Sequence, residues 1–461
     1  MIIHVRNFGK IAKADINLSD LVVFVGENNS GKTYLMQLIY GVFSYFYQIT
    51  SSKLDTILLK TFSQRKDSDG QIVIKANDTE FYRSFQDALN ASIDENKTYI
   101  IERIFHTNTV SVDSISVEFT PLSCDYSVTY YETVEKTKAV FRRYAVNRDD
   151  NRLYSIGFGE TMTEEFVDIL KSQELLSVIL SELTGMFFNE NNRRRNGTPY
   201  IYFPASRSGL MLLYANYLSN DEKNQNNVIP DYAIEQDDSD NTDNEYGLTE
   251  PVYNFLMFLL KHKYSEMVAE QNKDLIAFID NNIINGHMEK VGSTMLYIPE
   301  NSNQLLPIKL SSSLVSEIAP LYQTLSGIQH FSYILYDEIE TCQHPTKQLQ
   351  LARLLIRMVN SGYKLIVSTH SDTMATAINN LITLSFKNHK IELLKKLEYN
   401  EDDILKSNNV KAYQFIIGKD GKTTVVEAKS DFSLGIGFDF DLFNATNQKI
   451  FNDAVALAEV E

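Results

Sequence analysis

A short stretch near the start of the chain has the residue types and the spacing of a phosphate-binding loop. It fits the pattern G-x-x-x-x-G-K-[ST] and reads Gly26-Glu27-Asn28-Asn29-Ser30-Gly31-Lys32-Thr33. Glycines at both ends allow main-chain N–H groups to point at phosphate oxygens, and the N-terminus of a following helix adds partial positive charge. We expect Lys32 to reach the β- and γ-phosphates of a nucleotide and the Thr33 hydroxyl to coordinate Mg²⁺.

Two adjacent carboxylates, Asp337 and Glu338, follow the apolar run 333–336. Such a run predicts a buried strand that ends at the two acids. In P-loop NTPases an aspartate in this place holds Mg²⁺, directly or through water. An adjacent glutamate can act as the general base for the attacking water. The pair would also suit a strand that runs into a solvated turn, but the upstream phosphate loop favours the functional interpretation.

Two other groups have the chemistry to contact phosphate. His370 follows the next predicted strand, 364–368, where its ring could reach the γ-phosphate, although a lone histidine is more often structural. The run Ser311-Ser312-Ser313 opens an apolar helix and could form an N-cap and an anion site. Most runs of this kind are only caps, so this signal is weak by itself.

The segments that must position these groups follow an α/β pattern. An apolar strand at 21–25 precedes the phosphate loop, and a helix at 34–46 follows it. Further strands are predicted at 198–204, 333–336 and 364–368, with a helix at 346–360 between the last two. The sequence therefore predicts an α/β fold with the phosphate loop on an early strand.

The middle of the chain has other patterns. Loose alternation predicts antiparallel strands at 98–104, 110–119, 127–131 and 139–146. Residues 163–187 carry an apolar helical stripe, and 252–284 form a second helical pattern that a break near Gln271 could divide, so the two could pair as an antiparallel helical hairpin. Hairpins are predicted at 291–310 and 410–428, and a last helix at 444–458.

Composition narrows the classes of function. The chain has 461 residues, of which 43% are hydrophobic, enough for a sizeable core. Its two cysteines, Cys124 and Cys342, are no disulfide framework and indicate a reducing compartment. Neither a signal-peptide layout nor an apolar stretch of transmembrane length is present, so we expect a cytoplasmic protein without a membrane partner. A formal net charge of −17 disfavours a surface coated in nucleic acid.

Together these residues resemble ABC-type ATPases of the RecF/SMC kind and, more narrowly, the ATPase part of overcoming-lysogenisation-defect (OLD) proteins. The matching motifs are the phosphate loop, Asp337-Glu338 with Glu340 and His344-Pro345, Ser368-Thr369-His370-Ser371, and Pro204-Ala205-x-Arg207. The resemblance implies a P-loop ABC-type ATPase head with inserted β-rich and helical subdomains. We predict four parts, which are the N-terminal part of the head at 1–48, a β-rich arm or lid at 49–160, a helical insertion at 161–290 with an acidic flexible loop at 219–248, and the C-terminal part of the head at 291–461.

The resemblance also implies roles for single residues. Ser311-Ser312-Ser313 would be the signature motif, which contacts the γ-phosphate of ATP held by a second subunit. Glu338 would be the catalytic base, His370 the switch histidine and His344 the D-loop position, and Arg207 would belong to the ATP-binding residues. The signature lacks the usual glycine pair, Ile339 stands where proline is common, and no Q-loop glutamine is assigned. These departures imply slow turnover.

OLD nucleases carry a C-terminal Toprim domain, for which the stretch after His370 is short, and we interpret Asp439-Phe440-Asp441 as a turn that only mimics the Toprim Asp-x-Asp. Stand-alone ATPases of this kind look like the ATPase subunits of anti-phage systems such as Septu (PtuA) and PARIS (AriA). The resemblance implies an ATP- and Mg²⁺-dependent ATPase that forms a dimer or larger homo-oligomer through its ATP sites and controls a separate nuclease in response to a phage-derived trigger. Two alternatives stay open, namely a DNA repair or recombination ATPase that binds DNA directly, and a self-contained nuclease.

Overall fold

Two compact units make up the described chain. The computed structural model describes residues 1–46, 54, 56, 57, 60, 71–75, 77–120, 126–134, 139–147, 152–159, 176, 179, 180, 183, 199–205, 207–212, 248–291, 294–329, 331–387, 390–434 and 436–458. The first unit comprises Met1–Leu18, Leu38–Arg103 and Thr107–Tyr200, and the second Ser19–Gln37, Ile104–His106 and Ile201–Glu461. Every candidate site residue lies within the second unit. The four-part division made from the sequence stays a prediction.

The elements follow one another along the chain as β1 (Ile2–Phe8), β2 (Ile11–Asn17), β3 (Leu21–Gly26), α1 (Lys32–Tyr45), β4 (Gln71–Ile74), α2 (Thr79–Phe105), β5 (Ser114–Glu118), β6 (Tyr126–Val134), β7 (Ala139–Asn147), β8 (Arg152–Gly159) and β9 (Tyr200–Phe203). They continue as α3 (Glu250–Lys261), α4 (Glu266–Gln271), α5 (Lys273–Phe278), a π-helical turn (Ile279–Ile284), β10 (Gly286–Val291), β11 (Thr294–Pro299), β12 (Leu306–Pro307), α6 (Ser313–Ser326), β13 (Tyr333–Tyr336), α7 (Pro345–Asn360), β14 (Lys364–Thr369), α8 (Asp372–Phe386), α9 (Lys390–Leu397), β15 (Val410–Ile417), β16 (Thr423–Glu427) and α10 (Asp441–Ala458).

The strands of the second unit that carry the site residues run parallel. The strand order there is β16-β15-β3-β14-β13-β9, and β15, β3, β14 and β13 pair in parallel. Val23 pairs with Val367 and with Ala412, and Val367 pairs with Tyr336. Parallel strands that are buried on both faces read as continuous apolar runs, which is how β3 and β13 read. The α/β fold class predicted from the sequence is confirmed, and the strands that precede the candidate residues end at one edge.

The first unit is antiparallel. Three strands pair in the order β5-β1-β2, and four pair as β4-β6-β7-β8. The strands predicted within 110–119, 127–131 and 139–146 are confirmed as β5, β6 and β7. The strand predicted at 98–104 is wrong, because these residues end the 27-residue helix α2.

The reason for that error lies in the burial pattern of α2. The β-branched residues of 98–104 favour a strand when they are considered alone. In the helix, Ile100 and Ile104 are fully buried and four positions apart, and Phe85 and Leu89 repeat that spacing upstream. A buried helical stripe over seven turns overrides the local propensity.

The helical pattern at 252–284 is divided more than once. The predicted break near Gln271 is confirmed, since α4 ends there and α5 begins at Lys273. A second break precedes Ser265, whose hydroxyl caps α4 by accepting a hydrogen bond from the N–H of Val268 at 3.4 Å. Buried side chains of α3 and α5, such as Phe255, belong to the hydrophobic core of the second unit.

The C-terminal predictions agree with the structure in their main features. The pair β15 and β16 is the hairpin predicted at 410–428, and α10 contains the predicted last helix. The hairpin predicted at 291–310 is a three-stranded sheet, β10-β11-β12. Most of 163–187 and nearly all of the acidic loop at 219–248 lie outside the described residues, so the helical hairpin stays a prediction. No helix among the described residues is both long and apolar enough to span a bilayer.

Candidate functional site

The phosphate loop joins the end of β3 to the start of α1. Gly31 has a φ of 98° and Asn29 a φ of 60°, so the loop uses the left-handed region at two positions. Gly26 is needed for a different reason than the sequence suggested. A Cβ at this position would lie 2.8 Å from the Cβ of Phe415 on β15, so the glycine allows β3 and β15 to pack closely. The residues at the tip, Glu27 to Asn29, are exposed.

Lys32 is held inside this loop. Its side chain is only 4% exposed, and its Nζ donates hydrogen bonds to the carbonyl oxygens of Gly26 at 2.9 Å and Glu27 at 2.8 Å. Burial lowers the pKa of Lys32, and the nearby Asp337 and Glu338 act in the opposite direction. The main-chain carbonyls of the loop therefore hold the ammonium group of Lys32 close to the acidic pair. Thr33, the next residue, is half-buried.

Asp337 lies at the end of β13 and is fully buried. Its Oδ2 accepts a hydrogen bond from the Tyr202 hydroxyl at 2.9 Å, and its Oδ1 accepts one from the Ser368 hydroxyl. Gln37 of α1 donates to the Tyr202 hydroxyl at 3.3 Å. Burial, and then the charge of Asp337, raise the pKa of Tyr202 well above its usual range, so this hydroxyl stays a neutral donor. Neither Tyr202 nor Gln37 is predicted from the sequence to support this carboxylate.

Glu338 has an unusual main-chain conformation, with a φ of 44°. A residue with a side chain pays about 1–3 kcal/mol for such a conformation, which persists only where neighbouring groups enforce it. Its N–H donates to the Ser368 hydroxyl at 2.9 Å, and its carbonyl accepts from the Thr341 hydroxyl at 2.8 Å. The carboxylate is half-buried. Burial, followed by the charge of Asp337, raises the pKa of Glu338, whereas His370 lowers it.

His370 and Glu340 stand beside this carboxylate. Glu340 Oε1 accepts hydrogen bonds from the N–H groups of His370 at 2.7 Å and Ser371 at 3.1 Å. The Nδ1 of His370 lies 3.1 Å from the same oxygen and 3.9 Å from Glu338 Oε1. Glu340 therefore fixes the turn after β14 and with it the ring of His370. The structure brings Lys32 and His370 together with the acidic pair.

Arg207 lies beneath the acidic pair and is fully buried. Its Nη1 donates to the carbonyls of Pro204 at 2.7 Å and Asp337 at 2.5 Å, and its Nη2 donates to the carbonyl of Glu338 at 3.0 Å. Its Nε lies 2.8 Å from Glu317 Oε2, a distance typical of an ion pair although the angle is not that of a hydrogen bond. These contacts differ from the direct ATP contact expected for Arg207, because protein groups occupy its guanidinium.

Sequence comparison identifies the family to which this arrangement belongs. A family model described as AAA ATPase domain (AAA_15) matches residues 1–375. The chain belongs to this family. A comparison of this AAA ATPase domain with the sequences of curated proteins gave no match.

Solved structures similar to this AAA ATPase domain include heads of SMC proteins. One is the SMC head domain from Thermotoga maritima, at 10% identity and a TM-score of 0.34, over 93% of this chain and 98% of that one. Another is an SmcHead bound to the C-winged helix domain of ScpA, at 12% identity and a TM-score of 0.38, over 94% and 99%. A third is a Smc head domain with an extended coiled coil bound to the C-terminal domain of ScpA, derived from Pyrococcus furiosus, at 13% identity and a TM-score of 0.32, over 98% of each chain.

The serine run of this AAA ATPase domain lies at the start of α6. Ser312 caps the helix by accepting a hydrogen bond from the N–H of Val315 at 3.4 Å, and the Ser311 hydroxyl donates to the Ile308 carbonyl at 2.6 Å. Ser312 and Ser313 are exposed. In the part of the chain that the structure describes, no hydrogen bond or ion pair joins the run to Lys32 or to the acidic pair.

His344 caps the next helix in the same way. Its ring nitrogen Nδ1 accepts a hydrogen bond from the N–H of Thr346 at 3.3 Å, at the start of α7, and its side chain is exposed. Within the described ranges its hydrogen bonds go to Thr346, and none joins it to the phosphate loop. Its D-loop role stays a prediction.

The residues present fit a nucleotide with a magnesium ion. No cluster of three or more histidine, cysteine or acidic residues in the described part of the chain could hold a metal by itself. Mg²⁺ usually binds through one or two protein ligands together with substrate phosphates. Thr33 and Asp337 are suitable ligands, because carboxylate and hydroxyl oxygens suit this hard cation and each oxygen of Asp337 keeps a lone pair beyond its protein donor.

Proposed function

We propose that this AAA ATPase domain binds ATP with Mg²⁺ at the phosphate loop and hydrolyses it slowly. The observation that carries the proposal is the convergence of Lys32, Asp337, Glu338 and His370 at one edge of the parallel strands. The charges of Asp337 and Glu338 act on the Lys32 ammonium, and the ring of His370 lies 3.9 Å from Glu338. A buried cation, a buried metal ligand and a half-exposed carboxylate of raised pKa are the groups that phosphoryl transfer to water requires.

Each of these residues has a distinct role in the proposed reaction. Lys32 binds the β- and γ-phosphates, and Thr33 and Asp337 hold the Mg²⁺, whose charge offsets that of the phosphates. Glu338 orients the attacking water and accepts its proton. His370 contacts the γ-phosphate from the turn after β14.

We further propose that a second copy of the chain completes the site. Ser311, Ser312 and Ser313 are exposed or half-buried at the N-terminus of a 14-residue helix, whose free N–H groups and partial positive charge suit a phosphate. The γ-phosphate that they contact would belong to ATP held by the other copy. ATP should therefore stabilise the dimer or larger homo-oligomer by mass action.

The biological role that we propose is that of sensor or regulator of a separate nuclease in anti-phage defence. Support comes from the resemblance to stand-alone ATPases of the OLD group. The formal net charge of −17 disfavours a surface coated in nucleic acid and so agrees with a chain that leaves DNA cleavage to a partner. The trigger of the assembly would be a phage-derived molecule.

The test of this role combines three measurements on the purified chain. We expect ATP binding in titration calorimetry that Lys32→Ala abolishes, because the β- and γ-phosphates lose their cation. We expect no cleavage of DNA by the chain with Mg²⁺ or Mn²⁺, and cleavage when it is co-expressed with the product of an adjacent nuclease gene. Metal-dependent cleavage by the chain alone would establish a self-contained nuclease. Tight, salt-dependent DNA binding by the chain alone would instead establish a DNA repair or recombination ATPase.

A further inference from the structure

A buried ion pair connects the helix of the serine run to the acidic pair. Arg207 and Glu317 have no exposed side-chain surface, and the distance from Nε to Oε2 is 2.8 Å. Glu317 lies in the second turn of α6, five residues after Ser312. Its other oxygen, Oε1, accepts a hydrogen bond from the N–H of Ser208 at 2.9 Å. Both oxygens of Glu317 therefore hold the segment around Arg207.

The other side of the guanidinium holds the main chain of the acidic pair. Its Nη1 and Nη2 donate to the carbonyls of Asp337 and Glu338 at 2.5 and 3.0 Å. The ring of Tyr336 lies 4.5 Å from the guanidinium carbon and packs against its face. The planar guanidinium of arginine has five N–H donors and can make all of these contacts at the same time. The compact ammonium group of lysine cannot. Arg207 thus bridges α6 and the end of β13.

The conformation of Glu338 makes this bridge relevant to catalysis. Its φ of 44° is unfavourable for a residue with a side chain and needs support from its surroundings. The support comes from the Ser368 hydroxyl on its N–H, and from Thr341 and Arg207 on its carbonyl. A displacement of Arg207 would release one of these contacts and turn the carboxylate away from the bound nucleotide.

Stability alone gives little reason for such a pair. Two apolar residues of similar volume often stabilise a protein as well as a buried ion pair, because both charges must be desolvated. A buried pair does have a strict geometry, so a small movement of one partner must move the other or break the contact. It is therefore suited to transmit a displacement of α6.

We propose that Arg207 and Glu317 are positioning residues that couple contact at Ser312 to the conformation of Glu338. When a phosphate held by a second copy binds at the N-terminus of α6, it fixes the position of this helix. Glu317 then holds Arg207 where its guanidinium binds the Glu338 carbonyl and orients Glu338. This inference rests on the proposed function, in which a second copy supplies that phosphate. It predicts that each subunit hydrolyses ATP efficiently only when its own serine run is occupied.

The test uses Glu317→Gln in the full chain. Glutamine keeps the volume and the acceptor for the N–H of Ser208 and removes only the charge that holds Arg207. The measurements are ATP affinity, ATP-dependent assembly by light scattering, and phosphate release per subunit across a range of protein concentrations. Wild type should release more phosphate per subunit as assembly proceeds. In Glu317→Gln we expect affinity and assembly within about twofold of wild type, and phosphate release about 10- to 100-fold lower at concentrations where the protein is assembled.

Two further variants make the result specific. Arg207→Lys can keep the ion pair but cannot hold both carbonyls, so it should lose phosphate release in the same way and is used if Glu317→Gln does not fold. Glu270→Gln removes an exposed ion pair with Lys273, 2.7 Å long, and should behave as wild type.

The possible results separate the inference from the proposed function. Wild-type phosphate release by assembled Glu317→Gln would overturn the coupling. Loss of ATP affinity or assembly together with a fall in Tm in both variants would also overturn it, since the pair would then only support the fold. A wild type that neither binds ATP nor assembles would instead overturn the proposed function on which the coupling rests.

Discussion

The N–H of Glu338 donates a hydrogen bond to the Ser368 hydroxyl at 2.9 Å, and so the turn after β13 is tied to the neighbouring strand β14. The same hydroxyl donates to the carboxylate of Asp337. One side chain therefore orients both members of the acidic pair, and it does so through the main chain of Glu338, not through its carboxylate. The Glu338 side chain can consequently be changed without loss of this contact.

Replacement of Glu338 by glutamine tests its role as the base. Glu338→Gln should keep ATP affinity, because Lys32, Thr33 and Asp337 are unchanged, and should reduce phosphate release by about two to four orders of magnitude. The measurements are nucleotide titration and a phosphate-release assay, with Lys32→Ala as the control that loses binding itself. Undiminished phosphate release would show that another group orients the water.

The exposed serine run provides a test of assembly. Ser312→Asp should weaken ATP-dependent assembly, because it places a negative charge against the γ-phosphate of the other copy. Aspartate is as good an N-cap as serine, so α6 should remain capped, and Ser312→Asn is the matched neutral control. Light scattering with and without ATP measures the effect. Equal assembly of both variants would show that Ser312 is only a helix cap, and a wild type that is monomeric with every nucleotide would disprove the trans site.

Contiguous motifs were predictable from the sequence, and long-range supports were not. The phosphate loop, Asp337-Glu338 and His370 each follow an apolar run, so the local sequence predicts both the residue and its place at a strand end. Tyr202 and Gln37 are 165 residues apart, and Tyr202 reaches Asp337 only because the fold places β9 beside β13.

The long-range partner of Arg207 was also not predictable from the local sequence. Its motif was recognisable, but its partner Glu317 is an acid within an apolar helix, and nothing in the local sequence links the two. A lone carboxylate at a buried helical position is the signal that could have indicated a paired cation. The strand wrongly predicted at 98–104 failed for a related reason, because the packing of all of α2 decided the conformation of its last turns.

The pH dependence of phosphate release should report on Glu338. Burial and Asp337 raise the pKa of Glu338 above the usual glutamate value of 4.5, so the active, deprotonated form should be lost at a higher pH than for an exposed glutamate. His370 lowers that pKa, and therefore His370→Gln should move the acid limb to still higher pH. The measurement is kcat against pH, with the exposed His287→Gln as control. An acid limb that does not move, or that moves to lower pH, would contradict this assignment.

The packing of the phosphate loop against β15 predicts a cost for any side chain at Gly26. The new Cβ of Gly26→Ala would lie 2.8 Å from the Cβ of Phe415 and 3.2 Å from its carbonyl oxygen, so main chain must shift. Overpacking of this kind should lower the free energy of unfolding by about 1–3 kcal/mol and weaken ATP binding. Gly209→Ala is the matched control, because nothing lies within 4 Å of its Cβ position. Thermal unfolding and ATP titration are measured for both variants. Equal Tm values for Gly26→Ala and Gly209→Ala would show that the phosphate loop accommodates the new Cβ without loss of stability.

The π-helical turn contains a carboxylate whose ionisation should oppose folding. Burial raises the pKa of Asp280 to about 7, from an ordinary value of 3.8, and its buried Oδ1 has no hydrogen-bond partner among the described residues. Since the folded state holds this proton more tightly than the unfolded state, wild type should lose stability as the pH rises from about 4 to about 7. Asp280→Asn has nearly the same shape and cannot ionise. We expect the variant to match wild type at pH 4 and to exceed it at pH 8 by about 1–3 kcal/mol, after allowance for solvent screening. Chemical denaturation at both pH values measures this, and a variant that is less stable than wild type at pH 8 would show that the charged carboxylate is stabilised by its surroundings.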